Sequence, residues 1–245
     1  RGEVSEGMIC AGDELSINDD HSGIIVLEDK WEAGTAASVI YPVYTDTIFE
    51  VDLTPNRSDA TCHVGVAKDL AAYLTVHKGE KYKFKHSIDE DVFIDQKDKT
   101  IRVRIEDTLA CPRYSGISIT GVTISPSPLW LQHRLKAIGV KSINNVVDIT
   151  NYVLHAYGQP LHAFDYDKIG SHTIRVKKLP AGTKFLCLDN IERSLHQDDL
   201  MICNGDSVPM CIGGVFGGLH SGISENTESI FLESAHFNAS SIRRT

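Results

Sequence analysis

Long hydrophobic runs are missing from this chain. No window approaches the roughly 18 consecutive apolar residues that a membrane-spanning helix requires, so no membrane partner is expected. Metal-site spacings are missing as well. There is no CxxC pair and no HExxH, and Cys10, Cys62, Cys111, Cys187, Cys203 and Cys211 are scattered singly, so no metal site is expected. There is no G-x-S-x-G elbow, which sets aside a covalent serine hydrolase by signature. No secretory leader is visible, and the chain opens on Arg1 rather than Met, so it reads as a piece of a longer polypeptide. Without such a leader, reduced thiols and a cytoplasmic location are the expectation. Positive charge is in deficit: 24 Lys and Arg face 33 Asp and Glu, for a net charge of −9. The main phosphate-gripping surface of a nucleic-acid binder is normally basic, so that role is not expected, although a module handling only the end of a strand stays open.

What is present is a globular composition, 42% hydrophobic and 23% charged over 245 residues, enough for one to three domains. The stretch 144–165, NNVVDITNYVLHAYGQPLHAFD, is the most informative. Asn145 suits a helix N-cap, and Val146, Ile149, Val153 and Ala156 recur at spacings of three and four, a buried helical stripe. Gly158 and Pro160 end the helix. Asp148, Thr150, Asn151 and His162 are polar groups inside this apolar segment. Buried polar groups need partners, so they form either a satisfied internal network or the wall of a site.

Elsewhere the pattern predicts short elements. Residues 24–27 form a brief β-like run, and 47–53 alternate as a strand does. Ser58 or Asp59 suits a helix cap, with Val64, Ala67, Ala71 and Leu74 as the buried face. The basic residues Lys81, Lys83 and Lys85 are balanced by acids just downstream and read as solvated surface. Ile101, Val103 and Ile105 alternate as a half-exposed strand. Ser127 and Pro128 open a helix whose buried stripe is Leu131, Leu135 and Ile138, and Trp130 is expected in the core. Strands follow at 173–177, 200–203 and 230–235, with a hairpin about Asp189-Asn190. The class is α+β, mostly antiparallel short strands with a few capped helices.

Four features invite a chemical reading, each beside a structural one. Asp19 and Asp20 next to His21 suggest a metal, but a solvated turn explains them. The glycines of GGVFGG, 213–218, allow close approach of a ligand or of another backbone; the run lacks the Lys-Ser/Thr of a phosphate loop. Glu233 interrupts an apolar strand, and an unpaired buried carboxylate is costly. It is either half of a structural pair or a reader of a ligand's hydroxyl or amine. His162 is a core histidine or a general acid or base.

Three runs carry a resemblance: LTPNRSDATCHVGVAKDLAA, the stretch from RYSGISITGV to LHAFD, and GGVFGGLHSGISENTESIFLESAHFNASSIRRT. They resemble the β-subunit family of bacterial phenylalanyl-tRNA synthetases, and the resemblance extends over essentially the whole chain. It implies that residues 1–28 are the tail of an OB-like tRNA-binding domain, 29–110 the remainder of the first β-subunit domain, and 111–245 a B3/B4-like editing domain that continues past Thr245. The editing activity so implied hydrolyses tyrosine mischarged on tRNA-Phe. An aromatic pocket cannot strongly reject an analogue that only adds a hydroxyl, so a second site has to read that hydroxyl. On this resemblance Glu233 accepts the tyrosine hydroxyl, Thr150, Asn151 and His162 form the polar wall around ester and water, Gly214 and Gly217 form the pocket floor, and Ala235 lines the substrate. Lys141 stands where some members have Arg. The implied partners are the α subunit, in a heterotetramer of two α and two β chains, tRNA-Phe, and tyrosine or its ester. ATP and Mg²⁺ serve the complete enzyme at the α subunit's synthetic site, with no cofactor at the editing site. The alternative is a non-catalytic scaffold or tRNA-binding module that supports the α subunit.

Overall fold

Apolar residues fill most of the run Ser229–His236, SIFLESAH, on both of its alternating faces, and such a run can only be the middle of a sheet covered on both sides. The structure, a computed structural model, describes residues 4, 7–18, 20–42, 44–84 and 99–245. Asp19, Lys85 and the rest of the charged stretch 85–98 lie outside the described residues. The chain divides into two compact units, Arg1–Thr47 and Ile48–Thr245.

The first unit has a turn closed by the Ile17 amide donating to the Gly12 carbonyl at 2.9 Å and a one-turn helix, α1, Ala37–Ile40. The β-like run at 24–27 does not become a strand. The Ile25 amide reaches the Cys10 carbonyl at 3.0 Å, but no ladder extends from that bond among the described residues. His21 and Asp13 form an exposed ion pair at 2.8 Å.

In the second unit the alternation at 47–53 also yields no strand; Ile48, Phe49 and Val51 are exposed. A 3₁₀ turn, Ser58–Ala60, leads into α2, His63–Lys78, whose N-cap is Cys62 rather than Ser58 or Asp59. The predicted face is correct: Val64, Ala67, Ala71 and Leu74 are each half-buried. Gly65 is dictated by contact, since a Cβ there would sit 2.0 Å from the Asp59 carbonyl oxygen.

The remaining elements follow in order: β1 Arg102–Ile105, β2 Arg113–Thr120, α3 Leu129–Ala137, α4 Asn145–Tyr157, β3 His162–Asp165, β4 Thr173–Lys178, β5 Lys184–Leu186, β6 Glu192–Ser194, β7 Leu200–Asn204, β8 Pro209–Ile212, β9 Phe216–Gly217, β10 Ser229–His236 and α5 Ala239–Arg244. A five-stranded sheet has the order β1-β4-β7-β8-β9, and a three-stranded sheet the order β2-β10-β3. Only β1 and β4 pair in parallel; the other pairings are antiparallel. The α+β expectation therefore holds. The hairpin β5–β6 turns at Asn190, whose φ of 60° suits Asn.

Burial divides by face. Phe164, Phe231 and Tyr114 of the small sheet meet Ile174, Val176, Leu200, Ile202, Met210 and Cys211 of the large one in a single apolar layer. The small sheet's other face carries Ala163 and Ile230, and Val146 of α4 packs there. The large sheet's outer face is closed by Phe185 and Leu195 over Met201, Cys203 and Ile212. The order of layers is thus hairpin, large sheet, small sheet, helices.

Two capping details differ from the expectation. Asn144, one residue earlier than expected, caps α4 by accepting from the Val147 amide at 3.0 Å. Asn145 instead ties α4 to the strand end by donating to the Thr123 carbonyl. Pro128 is the N-cap of α3, and the Ser127 hydroxyl is directed to Asp148. Leu131 and Leu135 are buried as expected. Trp130 is not in the core: it is 56% exposed and meets Tyr152 edge to face at 5.6 Å.

Asp148 resolves part of the polar content of 144–165. It is fully buried and accepts from the hydroxyls of Ser127 and Ser142 and, at 2.8 Å, from the Ile143 amide. Asp148→Ala leaves three donors without their acceptor and is expected to destabilise the fold by about 3 kcal/mol. Denaturant midpoints of wild type and variant measure this; a difference within about 0.5 kcal/mol, typical of a surface substitution, rules the network out as a structural keystone.

Candidate active site

Glu233 sits at the middle of β10, directly opposite Gly116 of β2 on one side and His162 of β3 on the other. Directly paired residues in an antiparallel ladder point to the same face, with Cβ atoms about 5 Å apart. Glu233 and His162 therefore both face the layer between the two sheets. Glu233 is 5% exposed, and its side chain is paired with Tyr114, whose hydroxyl donates to Oε2 at 2.8 Å. Tyr114 lies two residues from Gly116 along β2, so the donor arrives from the diagonal position of the ladder.

The interior sets the ionisation of these groups. Burial pushes the Glu233 carboxyl up from its usual 4.5 to about 7, and the hydrogen bond from Tyr114 opposes that rise. Burial, and then the charge of Glu233, hold the Tyr114 phenol well above its usual range. Cys111, pushed up to about 11, and Cys211 feel the same burial followed by the same carboxylate. Burial pushes the His162 imidazole down to about 4. The ordinary order is inverted, so between these two values both side chains are neutral and the proton resides on the carboxyl. Coulomb attraction does not turn them into an ion pair, because desolvating two charges outweighs it.

Gly217 of β9 completes the cluster. A Cβ there would lie 2.9 Å from His162 Cε1 and 2.7 Å from Leu188 Cδ1, so a side chain at 217 cannot coexist with this imidazole position. His162 also meets the Phe164 ring edge to face at 4.5 Å. Ala235 follows Glu233 on the same strand face and pairs with Tyr114.

The remaining predicted residues fall elsewhere. Thr150 is on α4, one turn beyond Val146, and its hydroxyl donates to the Val147 carbonyl at 2.7 Å. Asn151 follows it, half-buried. The helix that carries both packs on the opposite face of the small sheet from Glu233. Gly214 has a φ of 70° and is exposed; a Cβ there would meet Phe237 at 3.0 Å and Ile242 at 3.3 Å, so it lies under α5. Tyr114 is the member that reading the sequence missed. Nothing in the sequence singled it out, and its relation to Glu233 needs the register between strands 119 residues apart. A cavity of about 470 Å³ lies apart from this cluster, lined by Thr100, Ile101, Arg102, Ser171, His172 and Thr173. Among the described residues no group of three or more His, Cys, Asp or Glu side chains is placed to hold a metal, and no helix is long and apolar enough to cross a membrane. All six thiols are unpaired.

The raised carboxyl value makes stability depend on pH with a definite sign. A group whose folded value is raised contributes fully below its unfolded value, and that contribution is lost as pH rises through the folded one. For Glu233 the loss runs from 4.5 to about 7. His162 has the opposite slope from 6.5 down to about 4, so the two largely offset each other in wild type. Glu233→Gln keeps the Tyr114 partner and removes the carboxyl slope. Its melting temperature relative to wild type is expected to climb between pH 4.5 and 7 and then level off. A constant difference across that range in thermal melts counts against a buried titrating carboxyl.

Comparison with known proteins gives the family. The model of the B3/4 domain family matches residues 110–245. A phenylalanine–tRNA ligase beta subunit of Bacteroides fragilis is 50% identical over 245 residues, all of this chain and 30% of that protein. The corresponding subunit of Porphyromonas gingivalis is 49% identical over the same coverage. The chain thus spans about 30% of the length of these curated relatives. A crystal structure of an N-terminal fragment of the phenylalanyl-tRNA synthetase beta-subunit from Pyrococcus horikoshii aligns with 76% of this chain and 54% of that one, at a TM-score of 0.44 and 15% identity. The family match takes in more than half of the chain, including Tyr114, His162, Gly217 and Glu233: this chain belongs to the B3/4 domain family.

Proposed function

We propose that this chain is the editing portion of a phenylalanine–tRNA ligase β subunit, hydrolysing the ester of tyrosine mischarged on tRNA-Phe. The observation that carries the reading is the environment of Glu233. A carboxylate in an apolar layer already accepts a phenolic hydroxyl, that of Tyr114, which is the contact a tyrosyl group needs and a phenylalanyl group cannot make. A phenylalanyl ring in its place leaves a buried acceptor unpaired, and this penalty favours tyrosine.

On this reading His162 handles water. Its imidazole stays neutral down to about pH 4, so at neutral pH one ring nitrogen is free to accept a proton from a water attacking the ester carbonyl. The proton then passes to the departing ribose hydroxyl of the tRNA, so no covalent enzyme intermediate forms. Gly217 supplies the space beside the ring. Thr150 and Asn151 contribute through α4, which leads through the Gly158–Pro160 turn into β3 and so sets where His162 stands. Residues 1–28, 29–110 and 111–245 take the domain roles that the resemblance implies. The α subunit and tRNA-Phe are the partners of the whole protein. ATP and Mg²⁺ belong to the α subunit's synthetic site. Among the described residues no group of three or more His, Cys, Asp or Glu side chains gathers as a metal site would need.

A second reading, a scaffold without editing, is favoured by one observation: the Glu233 side chain is already bonded within the chain. Deacylation assays separate the two. Glu233→Ala is expected to reduce the preference for Tyr-tRNA-Phe over Phe-tRNA-Phe by roughly tenfold to a hundredfold, the worth of one hydrogen bond to a charged group. His162→Ala is expected to slow deacylation by about a hundredfold or more. Full activity and full preference in both variants leave the scaffold reading standing.

A further inference from the structure

We propose that Tyr114 is a specificity-positioning residue: its hydroxyl occupies Oε2 of Glu233 and so presents Oε1 as the acceptor for the hydroxyl of an incoming tyrosyl group. The inference rests on the reading of Glu233 as the tyrosine reader and adds the group that aims it.

The geometry comes from three strands. On the β2 side, the position directly opposite Glu233 is Gly116. A Cβ there would lie 2.2 Å from Cζ of Phe231, so the Phe231 ring covers that position and no side chain can act from it. The donor therefore has to come from the diagonal residue, Tyr114, at 2.8 Å from Oε2. On the β3 side His162 is directly opposite, and it carries no charge near neutral pH. The other titratable groups that feel the carboxyl are the Cys111 and Cys211 thiols, both held neutral by burial. No Lys or Arg is among the causes that set the carboxyl's ionisation; the Tyr114 hydroxyl alone favours its charged form.

The second oxygen has no hydrogen-bond partner within the chain. Among the described residues no fully buried side-chain nitrogen or oxygen lacks a hydrogen-bond partner, and the side-chain bond of Glu233 is made at Oε2. Oε1 is therefore not fully buried. A carboxylate with one oxygen fixed from within the chain and the other free cannot rotate to bury both, and it meets a ligand hydroxyl without first reorganising. A reader left to protonate would offer a donor where an acceptor is needed.

The test uses the intact heteromeric ligase containing this chain, with tRNA-Phe charged with tyrosine or phenylalanine, and follows deacylation from about pH 6 to 9. Tyr114→Phe is expected to raise KM for Tyr-tRNA-Phe about tenfold more than it lowers kcat. It is also expected to move the pH at which tyrosyl preference appears upward by about one unit, because the one donor favouring the carboxylate is gone. Incorporating 3-fluorotyrosine at position 114 keeps the ring and makes the phenol a stronger donor, so the profile is expected to shift downward; this holds the inference to account if Tyr114→Phe does not fold. Unchanged profiles in both, with preference lost in Glu233→Ala, overturn the role of Tyr114 alone. Preference retained in Glu233→Ala overturns the reader and this inference together.

Discussion

A carboxyl group placed between two β-sheets needs a donor, and the donor available there has to come from a neighbouring strand. The register of β2, β10 and β3 follows from this requirement as much as from apolar packing. A slip of one residue turns Glu233 toward the helices and carries Phe231 with it, which costs the inter-sheet layer one of its aromatic rings. The small sheet is thus pinned by a polar contact and an apolar one at successive same-face positions of one strand, Glu233 and Phe231. The large sheet contributes Cys211 and Gly217 to the same layer, so it fixes the surroundings of the carboxyl without touching its charge.

The chain holds two buried acids, treated in opposite ways. Asp148 is saturated: three donors from two segments converge on it, and it joins the start of α3, the loop at 142–143 and α4. Glu233 has one side-chain donor and remaining capacity. A saturated acid is a structural node, because nothing further can bind it without displacing a partner. An acid with spare acceptor capacity is costly to retain in an interior, and that cost is a physical reason to associate it with a ligand. The same contrast separates Thr150, whose hydroxyl is spent on its own helix, from His162, whose ring packs against Gly217 in the layer that holds Glu233.

The sequence made the class, most strands and the two longer helices of the 111–245 region legible, because each rests on local periodicity. It misread elements that need a partner. The alternation at 47–53 has the pattern of a strand, yet among the described residues no strand pairs with it to make a ladder. Trp130 has the composition of a core residue but sits on the open side of α3. The cap of α4 was off by one residue, Asn145 for Asn144, because two consecutive Asn side chains offer the same chemistry and only the backbone dihedrals separate them. Glu233 was legible as an anomaly in an apolar strand. Its partner was not, because pairing between residues 114 and 233 is a property of sheet register, and helix Asn145–Tyr157 gave no hint that it would lie on the far face.

The strand order β2-β10-β3 also bears on how the protein is made. The central strand of this sheet is the last to be synthesised, so β2 and β3 leave the ribosome with no partner for the edges they will later share. Until residue 236 emerges, those two edges are unpaired templates for pairing with other chains, and the layer that will hold His162 cannot close. Completion of the small sheet and assembly of the carboxyl–imidazole cluster are therefore a single late event in biogenesis, and a ribosome that stalls before β10 leaves a chain with neither.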